Sequence, residues 1–397
     1  MSTYTPKIKP KTVSEDIPFR PKGKHWLTRL NAWLHLWPSI VSGIIVVFVC
    51  LTGTIIVYGD EIMEWTAGDG RYVKEIKAHR ATSDELMATV KAFNPNMAVS
   101  ELVFFKDPKR TVRIRVFNPK ERKVGVLYVD PYTAKVVKSD DTIYFFFVTA
   151  HLHANLLAGE AGHLIVAIST IIFVLSCITG LILWWPKRWT KKTVLDSFTV
   201  KWKARFKRLN YDLHNVYGFY SLIVCFILGM TGLIIFFQPL GNFTLKLAGA
   251  STEHMELPPA IEGNVAKDMV PIVYQLFADE YAGKKNISIW VHGLEKVGAY
   301  TFAAGTAGLK STENLAVAVV DKYTGTRIAI QKQHERHETV ENIVWQLHMG
   351  QWWGQLGKLS TFLAGIIATS LPITGFIIWW GKRKKKPKTK KKREPQL

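Results

Sequence analysis

Cysteine is scarce in this sequence, and the marks of a built-in dinucleotide site are missing. The three cysteines, Cys50, Cys177 and Cys225, lie inside apolar runs and form no CxxC or Cys/His metal spacing. No GxGxxG follows a strand to open a helix, so we expect no integral nicotinamide or flavin domain. These absences argue against a disulfide framework and against a self-contained dinucleotide enzyme.

Acidic residues are also few, 31 against 52 lysines and arginines, which gives a net charge of +21. The basic residues cluster beside apolar runs and in the tail Lys382–Arg393, where positive-inside flanks of a membrane protein belong. No nucleic-acid reader motif accompanies the charge, so we expect no nucleic-acid partner.

The start, residues 1–24, lacks the apolar core and cleavage site of a removable signal. The first apolar run should therefore remain as an anchor.

Long apolar runs are what the sequence has in place of an evenly spread core. A helix needs roughly 20 apolar residues to cross a hydrocarbon layer of about 30 Å. Four stretches are long enough: Trp37–Tyr58, His163–Trp185, Val216–Phe237 and Leu359–Trp380. The sequence therefore predicts an α-helical integral membrane protein with four transmembrane helices in a lipid bilayer.

Charge beside these runs predicts their direction. The segment 187–208 holds nine basic residues against one acid, Asp196, so it should be cytoplasmic, as should both termini. The two long connections carry mixed charge and should fold in the periplasm or its equivalent. The predicted divisions are a cytoplasmic N-terminal segment 1–34, a first span 35–58, outer module 59–150, an interfacial segment and second span 151–186, a basic loop 187–212, a third span 213–237, outer module 238–347, an interfacial segment and fourth span 348–380, and a basic tail 381–397.

The two halves of the chain resemble each other. Segments 29–35 and 208–214 are identical at five of seven positions, at an offset of 179 residues that persists to Thr52-Gly53 and Thr231-Gly232. The second helices match at an offset of 195, including Thr179-Gly180 with Thr374-Gly375. This pattern predicts two tandem two-helix repeats.

Each outer module is predicted to be a small α+β unit. Hydrophobic periodicity indicates one helix and three strand segments in each copy, the last containing a turn that begins with Val-Asp. The predicted elements are helices Ser83–Phe93 and Ala266–Tyr281, and strands Val99–Phe105, Thr111–Phe117, Gly125–Val137, Ile287–His292, Ala299–Ala304 and Leu315–Ile330.

Four histidines recur at matched positions beside the membrane helices, where an ionisable side chain is costly. His35 and His214 begin outward-going helices on the cytoplasmic side, while His153 and His348 precede inward-going helices on the outside. Two facing imidazoles can supply both axial ligands of one haem iron. The pattern therefore predicts two b-type haems, one at each face.

A Thr-Gly element lies at the opposite end of each of these helices. It places Gly180 and Gly375 toward the inner histidine pair, and Gly53 and Gly232 toward the outer pair. Glycine leaves room for a flat macrocycle or for a close helix, and ordinary small-residue helix packing is the competing interpretation.

Other ligand assignments stay open. His163 lies ten residues after His153, is matched by Lys358 in the other half, and could replace His153 as a ligand. Zinc fits less well than haem because the symmetric residues are only histidines. His334 and His337 could line an outer substrate or metal site.

These residues resemble the PepSY-associated transmembrane family. The resemblance rests on the Leu-His to Thr-Gly helices 34–53 and 213–232, the run Leu-His-Ala-Asn-Leu-Leu-Ala-Gly-Glu-Ala-Gly at 152–162 and the turn Val129-Asp130-Pro131-Tyr132-Thr133. The second copy departs from the pattern at 346–353 but keeps His348. The resemblance implies a bacterial inner-membrane protein with periplasmic PepSY modules and, in characterised relatives, a haem-bearing reductase that releases iron from ferric siderophores.

Together with the histidine pairs, the resemblance implies haem-dependent ferric-siderophore reduction, an oxidoreductase activity in iron uptake. Electrons would come from quinol or a separate cytoplasmic reductase and leave at the periplasmic face. The alternative is a non-enzymatic membrane anchor whose PepSY modules bind a peptide, protease or envelope partner. A transporter for a siderophore or metal is a third hypothesis, and it would need an oligomer.

Overall fold

Helices dominate the computed structural model, which describes residues 26–186, 188–305 and 315–383. In chain order the α-helices are α1 (Trp26–Ile56), α2 (Gly59–Ala67), α3 (Ser83–Phe93), α4 (Thr142–Asn155), α5 (Gly159–Trp184), α6 (Lys191–Phe198), α7 (Phe206–Asp212), α8 (Gly218–Phe236), α9 (Gln238–Leu247), α10 (Met269–Asp279), α11 (Lys332–His348) and α12 (Gly354–Arg383).

Within the described residues, four helices are long and apolar enough to cross a membrane: Trp26–Ile56, Gly159–Trp184, Phe206–Phe236 and Gln351–Arg383. Their outward side chains are apolar, and Val41, Ile44 and Ile223 are 80%, 72% and 71% exposed. Such an apolar surface suits lipid rather than water. The backbone of each helix also satisfies its own hydrogen bonds, as the interior of a bilayer requires. The chain is a multi-pass membrane protein.

All four helices begin before the predicted apolar runs, and the first and third also begin before the predicted boundaries of their spans. The predicted spans begin at residues 35 and 213, whereas the helices begin at Trp26 and Phe206. The extra turns carry aromatic and basic side chains, which suit the interface and do not require a helix to stop at the edge of the hydrocarbon layer. The predicted loop 187–212 therefore contains α6 and α7 rather than a simple connection.

In the part of the chain that the structure describes, the extramembrane region is built on one antiparallel sheet, which we call the sheet domain. Its strands are β1 (Ala98–Phe105), β2 (Val112–Asn118), β3 (Lys123–Val129), β4 (Val136–Asp140), β5 (Asn286–Trp290), β6 (Ala299–Gly305), β7 (Ala316–Asp321) and β8 (Arg327–Ile328). Their order is β4-β3-β2-β1-β5-β6-β7-β8. The helix predicted over Ser83–Phe93 is present with those bounds. The helix predicted over Ala266–Tyr281 and four of the predicted strands are confirmed to within a few residues as α10, β1, β2, β5 and β6. The last predicted strand of each copy is wrong as a single element, because the chain turns within it: Gly125–Val137 is divided between β3 and β4, and Leu315–Ile330 between β7 and β8.

The two modules predicted as separate units share this sheet. Strands β1 and β5 pair antiparallel, with Glu101 opposite Trp290 and Phe105 opposite Asn286. Helices α3 and α10 cover the sheet through Leu86, Val90 and Val273. The Asp268 carboxylate links the helix starts, since it accepts hydrogen bonds from the Ser83 and Val270 amides. This pairing gives hydrogen-bond partners to backbone groups that would otherwise be exposed at the edges of two small sheets.

Helices α4 and α11 lead from the sheet to the bundle and stop abruptly. The sequence predicts a boundary between residues 150 and 151, but α4 continues to Asn155 before the chain reverses into α5. A Cβ at Gly162 would overlap the Asn155 carbonyl oxygen, and a Cβ at Gly357 would overlap that of Gly350. Glycine at these two places permits the tight turns before α5 and α12.

An ion pair between buried Lys358 and partly exposed Glu61 joins α12 to α2. The Lys358 ammonium lies 2.7 Å from the Glu61 carboxylate, which also accepts a hydrogen bond from Gln355 at 2.8 Å. Only 10% of the Lys358 side chain is exposed. Burial opposes ionisation of Glu61, but the hydrogen bonds from Lys358 and Gln355 prevail and hold its pKa below the usual value.

We expect Glu61→Gln to destabilise the protein by about 1–3 kcal/mol, because it leaves the Lys358 ammonium buried without its counter-charge. The control is the double change Glu61→Gln with Lys358→Met, which should recover most of that loss. The Glu61 pKa is lowered by folding, so its contribution is present above the unfolded pKa and disappears as the pH falls through the folded pKa. Thermal unfolding in detergent at several pH values checks this, and equal melting temperatures for wild type and Glu61→Gln at neutral pH would contradict it.

Candidate functional site

The helix bundle brings the four matched histidines together as two pairs. The rings of His153 and His348 have centroids 6.0 Å apart on the side of the sheet, and we call them the sheet-proximal pair. The rings of His35 and His214 are 6.4 Å apart at the other end of the bundle and form the sheet-distal pair. His35 belongs to the sheet-distal pair, and Thr52 contacts His153 of the sheet-proximal pair. These two residues of α1 are separated by about 25 Å at 1.5 Å per residue. The two pairs therefore lie near opposite ends of the spanning helices.

A threonine holds each imidazole from a neighbouring helix. The distances from histidine Nδ1 to threonine Oγ1 are 3.1 Å for His35 with Thr179, 2.9 Å for His214 with Thr374, 3.0 Å for His348 with Thr231 and 3.5 Å for His153 with Thr52. The His153 Nδ1 also lies 2.8 Å from the Val49 carbonyl oxygen. Each histidine thus contacts the Thr-Gly element of the helix packed against it.

The hydrogen bonds determine which nitrogen carries the proton. Each of these threonine hydroxyls donates to a carbonyl oxygen of its own helix, as Thr179 does to Leu175 at 2.8 Å and Thr231 does to Ile227 at 2.7 Å. The hydroxyl oxygen must then accept from the histidine, so Nδ1 is the protonated nitrogen. In a neutral imidazole the lone pair is consequently on Nε2, which is the arrangement that metal-binding histidines use.

The glycine of each Thr-Gly element makes room for the imidazole ring. A Cβ at Gly53 would lie 2.8 Å from His153 Cε1, and one at Gly180 would lie 3.1 Å from His35 Cε1. The corresponding distances are 3.1 Å for Gly232 to His348 and 3.2 Å for Gly375 to His214. The sequence predicts that these glycines make room for a macrocycle or a helix, whereas the atoms they accommodate belong to the histidines.

Two asparagines support the sheet-distal pair and were not identified from the sequence. Asn31 donates to the Thr179 carbonyl at 3.2 Å, and Asn210 donates to the Thr374 carbonyl at 3.1 Å. Each lies one helical turn before a histidine of the pair. The identity of these asparagines between segments 29–35 and 208–214 was the available signal.

The helix around His214 departs from regular α geometry. Residues Leu213–Tyr217 form a π-helical turn within the third spanning helix. Such turns occur frequently at functional sites, because the extra residue changes which side chain faces a partner. In α1 the irregularity after His35 is Pro38, which removes one backbone donor.

A cavity of about 610 Å³ surrounds the sheet-proximal pair. Apolar side chains from all four spanning helices line it, including Val46, Val166, Leu228 and Ala368. It extends from His153 and His348 to Arg115 and Trp290 of the sheet domain. Its size and mostly apolar lining are those of a cofactor site, which commonly encloses about 300–1,000 Å³.

The other predicted ligand, His163, takes a different position. It also lines the cavity, but its ring lies 6.0 Å from that of Phe236 and its Nε2 lies 3.3 Å from the Asn155 amide nitrogen. The ring that faces His348 belongs to His153. Lys358, which occupies the position of His163 in the other half of the chain, pairs with Glu61. The two matched positions therefore differ in role.

Each pair has the spacing of two imidazoles on one metal ion. An imidazole nitrogen lies about 2.0–2.1 Å from a bound metal ion and its ring centre about 1 Å further, so two imidazoles on opposite sides of one ion have centroids about 6 Å apart. A zinc site takes three or four protein ligands, and each pair supplies two. An iron whose other four ligands come from a porphyrin fits this donor set.

The fold and the sites define a class: a four-helix membrane protein with a sheet domain on one face and two pairs of threonine-held histidines between its helices. The protein-family model of the PepSY-associated TM region matches residues 32–382, which is most of the chain. The chain belongs to that family. No curated protein matches it significantly.

Proposed function

We propose that this protein binds two b-type haems and transfers electrons across a bacterial inner membrane to reduce ferric-siderophore iron. The observation that carries the proposal is the pair of histidine sites at opposite ends of one bundle, with centroid separations of 6.0 Å and 6.4 Å. Haem supplies one-electron redox chemistry when bound. His153 with His348, and His35 with His214, would hold the haem iron.

The protein's own groups orient and insulate these sites. The threonine oxygens and helix carbonyls accept the Nδ1 protons, which fixes each ring and increases the basicity of Nε2. Apolar helices exclude water around the sheet-proximal pair, and burial is one of the factors that set a redox potential. The cavity leads toward Arg115, whose guanidinium lies 3.2 Å from Glu101 and 5.3 Å from the Trp290 ring.

The topology forms part of the same proposal. We propose that the sheet domain is periplasmic and consists of two PepSY-like modules, that the halves are tandem repeats, and that both termini are cytoplasmic. The sequence similarity between halves and the basic segment at 187–208 support this orientation. Electrons from quinol or a cytoplasmic reductase would then enter at His35 and His214 and leave at His153 and His348.

Proteoliposomes test the electron transfer directly. The purified full chain is reconstituted with a ferric hydroxamate siderophore and a ferrous chelator inside, and dithionite is added outside. We expect ferrous chelate to form with wild type and with the exposed-histidine control His292→Ala, but not with His35→Ala or His153→Ala. Equal rates for wild type and protein-free liposomes would contradict the proposal.

A second internal acceptor separates the substrate from the relay. If trapped ferricyanide is reduced while the ferric siderophore is not, the transmembrane relay holds and siderophore iron is not the acceptor. The non-enzymatic anchor instead predicts that neither acceptor is reduced and that the purified protein is colourless.

A further inference from the structure

We propose that His254, His337 and Glu341 form a binding site for a divalent transition-metal ion of the zinc class, separate from the membrane histidine pairs. One ligand atom from each residue lies within 4.8 Å of the others. His337 and Glu341 are four residues apart on α11, so they share one helix face. His254 comes from the segment between α9 and α10.

His337 is the residue that points to a ligand. Its ring is only 4% exposed, and its Nδ1 lies 2.7 Å from the Ser251 carbonyl oxygen. A carbonyl can only accept, so Nδ1 carries the proton and Nε2 presents a lone pair. Among the described residues, that buried Nε2 has no hydrogen-bond partner. A buried acceptor without a partner destabilises the fold, and a bound cation would remove that cost.

The spacing of the groups fits a shared ion better than a direct contact. The His337 Nε2 lies 3.7 Å from Glu341 Oε1, which is too long for a hydrogen bond. Two atoms that each lie about 2.0–2.2 Å from one ion are about 3–4 Å apart. The rings of His254 and His337 have centroids 4.7 Å apart, so His254 can reach the same ion by a small side-chain movement.

The chemistry of the donor set selects the ion. Two imidazoles and one carboxylate bind zinc or ferrous iron and leave further positions for water. A hard ion such as Mg²⁺ or Ca²⁺ prefers oxygen ligands throughout.

The Ser251 amide also donates to the Gln333 carbonyl at 3.0 Å, so the segment before His254 is held against α11. A bound ion would fasten this segment to the helix that ends at His348.

Equilibrium dialysis of the full-length protein in detergent against buffered Zn²⁺, with metal counted by mass spectrometry, tests the site. We expect one zinc per chain, and at least a tenfold weaker affinity for His254→Ala and for Glu341→Gln. His292→Ala, which removes an exposed histidine, and Glu338→Gln, on the same helix, are matched controls that should keep wild-type affinity. Unchanged affinity in both ligand variants, or no zinc retained by wild type, would overturn the proposal.

Thermal unfolding gives a second readout that does not depend on haem. Zinc should raise the melting temperature of wild type and of both controls, because it binds only the folded site, and should raise that of Glu341→Gln much less. His254 is exposed and Glu341 is partly exposed, so these two variants should fold where a change at buried His337 could fail. An equal zinc-induced rise in Glu341→Gln would argue against the site, whatever the haem content.

Discussion

Replacing His348 with alanine is expected to reduce the haem content from about two to about one per chain. The substitution removes one of the two imidazoles that would hold a haem at the sheet-proximal pair, whose rings are 6.0 Å apart, and leaves the sheet-distal pair unchanged. Electron transfer across the bilayer should be lost at the same time, because one of the two sites is broken. A haem assay and a reduced-minus-oxidised spectrum of the purified variant measure both effects.

Two further substitutions sharpen this result. His35→Ala should remove the other haem and leave the spectrum of the sheet-proximal site. His163→Ala should keep both, because the ring of His163 lies beside Phe236 rather than opposite His348. Loss of haem in His163→Ala together with retention in His153→Ala would show that the ligand assignment is wrong.

Gly53→Ala is expected to weaken haem binding at the sheet-proximal pair by about tenfold or more. Its Cβ would lie 2.8 Å from His153 Cε1 and 3.1 Å from His153 Nδ1, so the ring must move. Overpacking of this kind costs about 1–3 kcal/mol, and a ligand must be held within about 0.5 Å of its productive position. Haem titration of the variant, followed by absorbance, gives the change in affinity.

Gly43→Ala is the matched control on the same helix. A Cβ there would lie 3.5 Å from Pro372 Cβ, which is an ordinary contact, so haem content should be unaffected. Wild-type haem affinity in Gly53→Ala would contradict the role assigned to the Thr-Gly element.

The four spanning helices could be predicted because runs of about 20 apolar residues are typical of membrane-spanning helices and rare elsewhere. The helix Ser83–Phe93 could be predicted for a local reason too, since Thr82 and Glu85 form a capping box ahead of an amphipathic run. The pairing of β1 with β5 could not, because it joins strands about 185 residues apart and no local pattern specifies the partner edge. The boundary predicted between residues 150 and 151 falls inside α4, because the apolar run continues across it and no local break marks the end of that helix.

The approach of His35 to His214, and of His153 to His348, follows from the matched positions in the two halves. That these pairs hold haem stays a prediction. The role of Thr179, Thr231 and their equivalents was not visible in the sequence, because it depends on hydroxyls that donate to their own helix and accept from a ring on another. The sequence marked the Thr-Gly element, but only the packing shows that its glycine accommodates an imidazole.

A haem count tests most directly whether each histidine pair holds a b-type haem. The full chain should be expressed with ample haem, purified in detergent, and assayed as the pyridine haemochrome beside oxidised and dithionite-reduced spectra. We expect about two b haems per chain with sharp reduced bands. A folded, monodisperse protein that contains no haem under these conditions would contradict the proposal and favour a membrane anchor that binds partners through its sheet domain.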